Sequence, residues 1–168
     1  MKRSSRAIWL LLAVAITTLD LWSKEPWLYP HPLPGGEPVL QEGGVLIENW
    51  LYIRTVWNEG AVWSLRLGTG LLFWVTALAT PFLLLWILLP ARTTRVEVAG
   101  KALLLGGAAG NLYDRWRYGA VRDFIDVCFG NPEGWHWPTF NVADIALVAG
   151  IALLLLFGFK RETDRAAA

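Results

Sequence analysis

The chain has 168 residues, of which 55% are hydrophobic and only 17% are charged, and eleven of them are tryptophan. This composition excludes an ordinary soluble protein and indicates a membrane protein, for which the length predicts one compact bundle of helices. The formal net charge of +1 argues against nucleic acid as a partner.

The first predicted helix covers about 7–22 and follows basic residues close to the N-terminus. Its beginning resembles a signal peptide, but cleavage after the Ala-Val-Ala triplet at 13–15 would leave an apolar core too short for one. We therefore expect an uncleaved membrane helix. Asp20 and Lys24 should lie at its far end, where the long side chain of Lys24 can reach the surface.

Residues 25–68 differ in composition, being rich in Pro, Gly, Trp and Tyr. Alternating stretches such as VLIENWLYIRTVWN are typical of strands and predict a small β element outside the membrane. Its aromatic side chains suit the headgroup region of a bilayer, and they suit the local core of a small sheet equally well.

Three further helices are predicted. The stretch 70–89 has no charged residue and, as a helix, spans about 30 Å, the thickness of a hydrocarbon core. A third helix over 96–113 contains Gly106 and Gly110 at the spacing that favours close packing in membranes. The fourth covers 142–159 and should stop at the charged tail.

The predicted fold is a mainly α membrane protein, with four transmembrane helices and a small extracytoplasmic β element between helices 1 and 2. It forms a single integral-membrane domain over 1–168. Four spans place both termini on one side, and the basic residues of that side lie in much shorter segments than those opposite. The positive-inside rule then predicts cytoplasmic termini and an outward-facing β element.

Two aspartates near the ends of apolar segments, Asp123 and Asp144, are the leading candidates for function. A carboxylate at mid-bilayer costs about 2.5 to 3.5 kcal/mol, so such residues usually face a cavity and act in it. Other polar residues should converge with them at the outer surface: Asp20, Asn58, Asn111, Asp114, Arg115 and Asn141.

Simpler roles account for part of this set. Asn141 can cap the fourth helix, and a carboxylate three residues later, at Asp144, stabilises the first turn. For Asp114 and Arg115 we favour an ion pair that fixes the end of the third helix. Asp126 should point away from Asp123 if this segment is extended, and we interpret it as a structural or solvated acid.

Two carboxyl groups that share a site cannot both ionise readily, so one keeps a proton while the other can accept a proton from water. This is the arrangement of an aspartic peptidase, which hydrolyses a peptide bond without a metal or a covalent intermediate. Asn58, Asn111 and Arg115 are candidate donors for the developing oxyanion.

Four segments, LDLWSK, WNEGAVWSL, GGAAGNLYDRWRYGAVRDFIDV and PTFNVADIALVAG, closely resemble the signal peptidase II family of lipoprotein signal peptidases. The resemblance implies that Asp123 and Asp144 are catalytic, without metal or cofactor. The remaining matched positions would shape and support the site: Asp20, Lys24, Asn58, Gly60, Ala61, Asn111, Asp114 and Arg115.

The resemblance also implies the substrate, a bacterial prolipoprotein carrying diacylglycerol on the Cys after the cleavage site. Cleavage would take place at the outer face of the cytoplasmic membrane, among membrane lipids. Inhibition by the cyclic peptide globomycin is expected, and a monomer is assumed. Two departures from the family pattern, Trp63 and a long Pro- and Gly-rich stretch at 29–38, could alter the fit of substrate or inhibitor.

Other classes of protein fit less well. A proton-coupled carrier should place its ionisable residues near the midplane rather than at one surface. A metalloenzyme needs clustered ligands, whereas His31 and His136 stand apart in predicted loops; we interpret His136 as interfacial or substrate-lining. A thiol catalyst would need a basic partner for Cys128, the only cysteine. A structural protein would leave both aspartates without a role, and a catalytically inactive relative stays open.

Overall fold

The computed structural model describes residues 3–25, 39–60, 69–89, 94–131 and 133–166, with side chains described over 6–25, 44–60, 70–89, 94–131 and 133–157. Predictions for His31, Ala61, Trp63 and the stretch 29–38 lie outside these ranges, as does the predicted headgroup or sheet-core location of Trp27 and Tyr29, two aromatic residues of the predicted β element. The following description concerns the described residues.

Four helices form most of the structure, as predicted: α1 (Arg3–Ser23), α2 (Thr69–Leu88), α3 (Arg95–Tyr118) and α4 (Val142–Ala166). Two of them, over Arg6–Ser23 in α1 and Gly70–Leu88 in α2, are long and apolar enough to cross a membrane. The apolar stretch of α4, Val142–Phe157, is shorter.

The ends of α3 and α4 differ from the prediction. α3 continues five residues past the predicted end at 113, and Gly119 ends it in the left-handed conformation at φ 76°. α4 does not stop at 159 but runs through the charged tail to Ala166. Lys, Arg and Glu are good helix formers, so the end of an apolar stretch need not be the end of a helix.

α3 is the central helix and packs against each of the other three. The close packing predicted from Gly106 and Gly110 is confirmed, because a Cβ added at Gly106 would lie 2.8 Å from the carbonyl oxygen of Ala13 in α1. A Cβ on Gly110 would meet the carboxyl group of Asp20. Two small residues therefore let α1 approach α3 closely.

Three antiparallel strands form one sheet in the order β1 (Val39–Ile47), β2 (Leu51–Asn58) and β3 (Val121–Val127). The first two lie between α1 and α2, as predicted, but β3 comes from the segment between α3 and α4. The prediction that the β element is confined to one insertion was therefore wrong. The register pairs Val56 of β2 with Asp123 of β3, so the sheet itself positions a candidate residue.

The helices alternate in direction. Near one end of the bundle, Nη1 of Arg6 in α1 donates to the carbonyl oxygen of Leu88 at the end of α2, at 2.6 Å. At the opposite end, Asp20 near the end of α1 accepts a hydrogen bond from the backbone N–H of Ala143 at the start of α4, at 2.9 Å. The end of α3, the start of α4 and the sheet meet at this second end.

Candidate active site

Asp123 and Asp144 lie on different elements that meet at this end of the bundle. Asp123 is the third residue of β3, and Asp144 lies in the first turn of α4. Asp123 is 1% exposed, whereas Asp144 is only partly buried. The two acids are close enough for the charge of Asp144 to act on Asp123.

Side-chain amides hold both carboxyl groups in place. Asp123 accepts from Nδ2 of Asn58 at 2.9 Å and from Nδ2 of Asn141 at 2.6 Å, one bond to each oxygen. Asp144 accepts from Nδ2 of Asn111 at 2.9 Å. Asn141 also donates to Oδ1 of Asn111 at 3.1 Å, so two linked amides bridge the two acids.

Asn141 has a second role at the start of α4. Its Oδ1 accepts from the backbone N–H of Asp144 at 2.9 Å, and Oδ2 of Asp144 accepts from the backbone N–H of Asn141 at 3.2 Å. The predicted capping is confirmed, but capping alone does not account for Asn141, since its Nδ2 also binds Asp123. The cap therefore fixes Asp144 relative to the residue that holds Asp123.

The environment of Asp123 favours its protonated form. Burial raises the pKa of Asp123 to about 7, and the negative charge of Asp144 acts in the same direction. The hydrogen bonds from Asn58 and Asn141 and the charge of Lys24 oppose this rise in pKa. Near neutral pH the pair can therefore hold one proton, as an acid and base pair requires.

Asn58 is oriented by its own turn. Its Oδ1 accepts from the backbone N–H of Gly60 at 3.0 Å, which leaves Nδ2 directed at Asp123. The structure thus brings both of these predicted supporting residues to the candidate site.

Four buried charged residues form a charge cluster beside the pair: Asp20, Lys24, Asp114 and Arg122. Lys24 is 0% exposed, and its ammonium group lies 2.8 Å from Asp20, 3.0 Å from Asp114 and 3.3 Å from Oδ1 of Asn111. The prediction that Lys24 extends to the surface was wrong. Opposite charges on neighbouring elements hold it inside, where an unpaired ammonium would be costly.

The predicted ion pair between Asp114 and Arg115 was also wrong, because consecutive helical residues do not face each other. Asp114 instead binds Arg122, accepting from its backbone N–H at 3.0 Å and from Nη2 at 2.8 Å. Arg115 is partly buried, donates to the carbonyl oxygen of Asn111 at 3.4 Å and lies within electrostatic reach of Asp144 and Asp123.

Sequence reasoning missed Arg122. Its Nη1 donates to the carbonyl oxygen of Lys24 at 2.6 Å, and its own carbonyl oxygen accepts from Nδ2 of Asn141 at 3.4 Å. Arg122 therefore ties β3 to α1 and α3 directly beside Asp123. The sequence contains a signal for it, because Arg122 stands in a short strand whose Val, Phe and Ile residues predict burial, and a buried charge needs a partner.

Of the two roles considered for Asp126, structural or solvated, the structure supports the structural one. Asp126 is buried, at 3% exposure, and pairs with Arg54 of β2. His136, interpreted from the sequence as interfacial or substrate-lining, binds the same carboxyl group of Asp126 and is partly exposed. Within the described ranges, no three His, Cys, Asp or Glu side chains are grouped as the ligands of a metal ion would be.

Known proteins resemble this chain over nearly its whole length. A family model described as signal peptidase (SPase) II matches residues 12–160. A lipoprotein signal peptidase of Polynucleobacter necessarius subsp. necessarius (strain STIR1) is 35% identical, over 99% of this chain and 98% of the relative. One from Synechococcus sp. (strain RCC307) is 38% identical, over 95% of this chain and 99% of the relative.

Among solved structures, a bacterial membrane enzyme determined by the in meso method has a TM-score of 0.76 and 28% sequence identity. The similarity covers 94% of this chain and 91% of that one. The family model spans most of the chain, and both relatives exceed 30% identity over nearly their full length. The chain belongs to the signal peptidase II family.

Proposed function

We propose that this protein is an aspartic endopeptidase that removes signal peptides from diacylglyceryl-modified bacterial prolipoproteins. Membership of the signal peptidase II family supports the reaction. The observation that carries the assignment to residues is the pair of Asp123, buried with a pKa raised to about 7, and Asp144, linked to it through two amides. Asp123 and Asp144 are the proposed catalytic residues.

The reaction follows from a pair that shares one proton. A water molecule between the carboxyl groups gives a proton to the ionised one, and its oxygen attacks the carbonyl carbon of the scissile bond. The protonated carboxyl group gives its proton to the carbonyl oxygen. In the second step one hydroxyl group of the diol intermediate gives its proton to the carboxylate that had protonated the carbonyl oxygen, and the C–N bond breaks. The leaving nitrogen takes a proton from the carboxyl group that accepted one from water, so the pair again holds one proton.

The amides and the charge cluster serve this reaction by fixing geometry. Asn58 and Asn141 hold Asp123, and Asn111 holds Asp144. Because amides carry no net charge, they orient the acids without removing the shared proton. Arg115, which is within electrostatic reach of both acids, is the proposed donor to the developing oxyanion.

We further propose that all four helices cross the cytoplasmic membrane with both termini in the cytoplasm. The alternating helix directions support this topology, as do the exposed apolar side chains of α1, α2 and α4. The site then faces outward at the headgroup level, where a diacylglyceryl-modified substrate is anchored. Binding of globomycin-type inhibitors and activity as a monomer belong to the same proposal.

The test is cleavage of a diacylglyceryl-modified prolipoprotein by the purified protein in detergent, compared with Asp123→Asn and Asp144→Asn. We expect each variant to lose activity by at least about a hundredfold, since general acid and base catalysis contributes about 10²- to 10⁴-fold. Glu48→Gln, at an exposed turn between β1 and β2, is the control and should retain activity. Normal cleavage by either Asp variant would overturn the assignment, and an inert wild type would overturn the function.

A further inference from the structure

The segment that leads from β3 to α4 folds back along β3. The backbone N–H of Trp137 donates to the carbonyl oxygen of Val127 at 2.8 Å, and Ile125 and Phe140 exchange two backbone hydrogen bonds of 2.8 and 3.1 Å. Residues 128–140 are described except for 132, and we call this segment the return loop. The residue that follows it is Asn141, so the register of the loop against β3 decides where Asn141 meets Asp123.

This register has to be accurate. A slip of one residue along a strand moves the chain by about 3.3 Å and turns each side chain to the other face. Either change would separate Nδ2 of Asn141 from Asp123, to which it donates at 2.6 Å. It would also move Asp144, whose position the Asn141 cap determines.

Three large aromatic side chains of the return loop are exposed, Phe129 at 52%, Trp135 at 63% and Trp137 at 47%. Cys128, at the start of the loop, is buried, and Phe140, at its end, is partly buried. They contact one another, with ring centroids 5.1 Å apart for Phe129 and Trp135. Besides its backbone hydrogen bonds, a polar side-chain contact can attach such a loop to the sheet.

A buried carboxylate supplies this attachment. Asp126 of β3 lies 2.8 Å from Nδ1 of His136 in the return loop and 2.9 Å from Nε of Arg54 in β2. Because a carboxylate can only accept, Nδ1 of His136 carries the hydrogen, in the neutral or the protonated ring. One carboxyl group thus ties the loop to β2 and β3. It lies three residues from Asp123 and therefore faces the other side of β3.

We propose that Asp126 and His136 are positioning residues for the catalytic pair, an inference that rests on the proposed function. Their side chains bind each other, and Asp126 also binds Arg54. They act through the return loop, whose register sets Asn141 and, through its cap, Asp144. Loss of the contact loosens the geometry between Asp123 and Asp144 without removing a reacting group.

The test compares wild type with Asp126→Asn, His136→Gln and the double variant in steady-state cleavage of the prolipoprotein. Each single variant should lower kcat by about tenfold, because small misplacements of catalytic groups are costly, and leave KM within about twofold. The double variant should be no slower than the worse single one, since both remove the same contact. Glu133→Gln, an exposed acid of the same loop, is the matched control and should keep the wild-type kcat.

Three outcomes would overturn the inference: unchanged kcat in Asp126→Asn, fully additive losses in the double variant, or a rise in KM with kcat preserved. A parallel thermal unfolding scan separates positioning from folding, because positioning predicts the loss of kcat at temperatures well below unfolding. Failure of the proposed function gives a different result, since the wild type and Glu133→Gln would then both be inactive.

Discussion

Removal of the Asn58 amide should shift the pH dependence of cleavage to higher pH. Nδ2 of Asn58 donates to Oδ2 of Asp123 at 2.9 Å and so favours the ionised form of this acid. A hydrogen bond to a charged group contributes about 1.5–3 kcal/mol. One pKa unit corresponds to about 1.4 kcal/mol, so the full loss would raise the pKa of Asp123 by about one to two units.

The lower end of this range is expected, because Asn58 is only partly buried and water can replace part of the bond in Asn58→Ala. The assay is kcat/KM against pH, which reports the acid and the base of the free enzyme. Activity should fall on the alkaline side as the pair loses its shared proton, near the pKa of Asp123 at about 7. In the variant, this alkaline limb should lie about one unit higher.

The control is Glu48→Gln, which changes an exposed residue at the far end of β2 from Asn58 and should leave the limb in place. Thermal unfolding of both variants shows whether the fold is retained. An alkaline limb that stays fixed in Asn58→Ala, or that moves to lower pH, would refute the reasoning. It would mean that the amide does not stabilise the ionised acid that limits activity.

Three further predictions concern stability. Gly110→Ala should destabilise the protein by about 1–3 kcal/mol, because the new Cβ meets the carboxyl group of Asp20. The control is Gly70→Ala, whose new Cβ meets no atom within 4 Å. Equal unfolding temperatures of the two variants would contradict the prediction. The free energy of unfolding of wild type, relative to Asp123→Asn, should fall as pH rises from 3.8 to about 7 and then stay level. The reason is that Asp123 ionises near pH 3.8 in the unfolded chain and near pH 7 in the folded protein. Unfolding scans across this pH range test the prediction, and a rise in relative stability would contradict it. Lys24→Met should cost about 3–5 kcal/mol in denaturant titrations, since it leaves the buried Asp20 without its cation, whereas Asp114 keeps Arg122. A loss below about 1 kcal/mol would argue against this.

Much of the site could be predicted from the sequence because its residues stand at recognisable places in local patterns. Asn141 precedes an apolar helix, and Asp144 follows it at the capping distance. Asp123 stands in a short strand beside the apolar residues Phe124 and Ile125. In each case a polar group next to an apolar segment needs a partner, and this need can be read without knowing the fold.

The partners themselves could not be predicted, because they come from distant parts of the chain. The carbonyl oxygen of Lys24 binds Arg122, 98 residues away, and Asp20 binds the backbone of Ala143, 123 residues away. Sequence proximity instead suggested Asp114 with Arg115, which helix geometry does not allow. The third strand was missed for the same reason, since β3 joins β2 only after two helices have intervened.

Neutral amides contact the two catalytic candidates, whereas the charged residues pair with one another. This arrangement explains how the site can keep a shared proton among so many ionisable residues. A cation bonded directly to a carboxyl group would favour its ionised form and lower its pKa. Lys24 and Arg122 pair with Asp20 and Asp114, so most of their charge is balanced one layer away from the catalytic candidates. The candidates themselves are held by neutral amides, which fix their direction at a smaller cost to the proton. An aspartate in place of Asn111 or Asn141 would add a third acid, and a lysine would remove the proton that the pair must share.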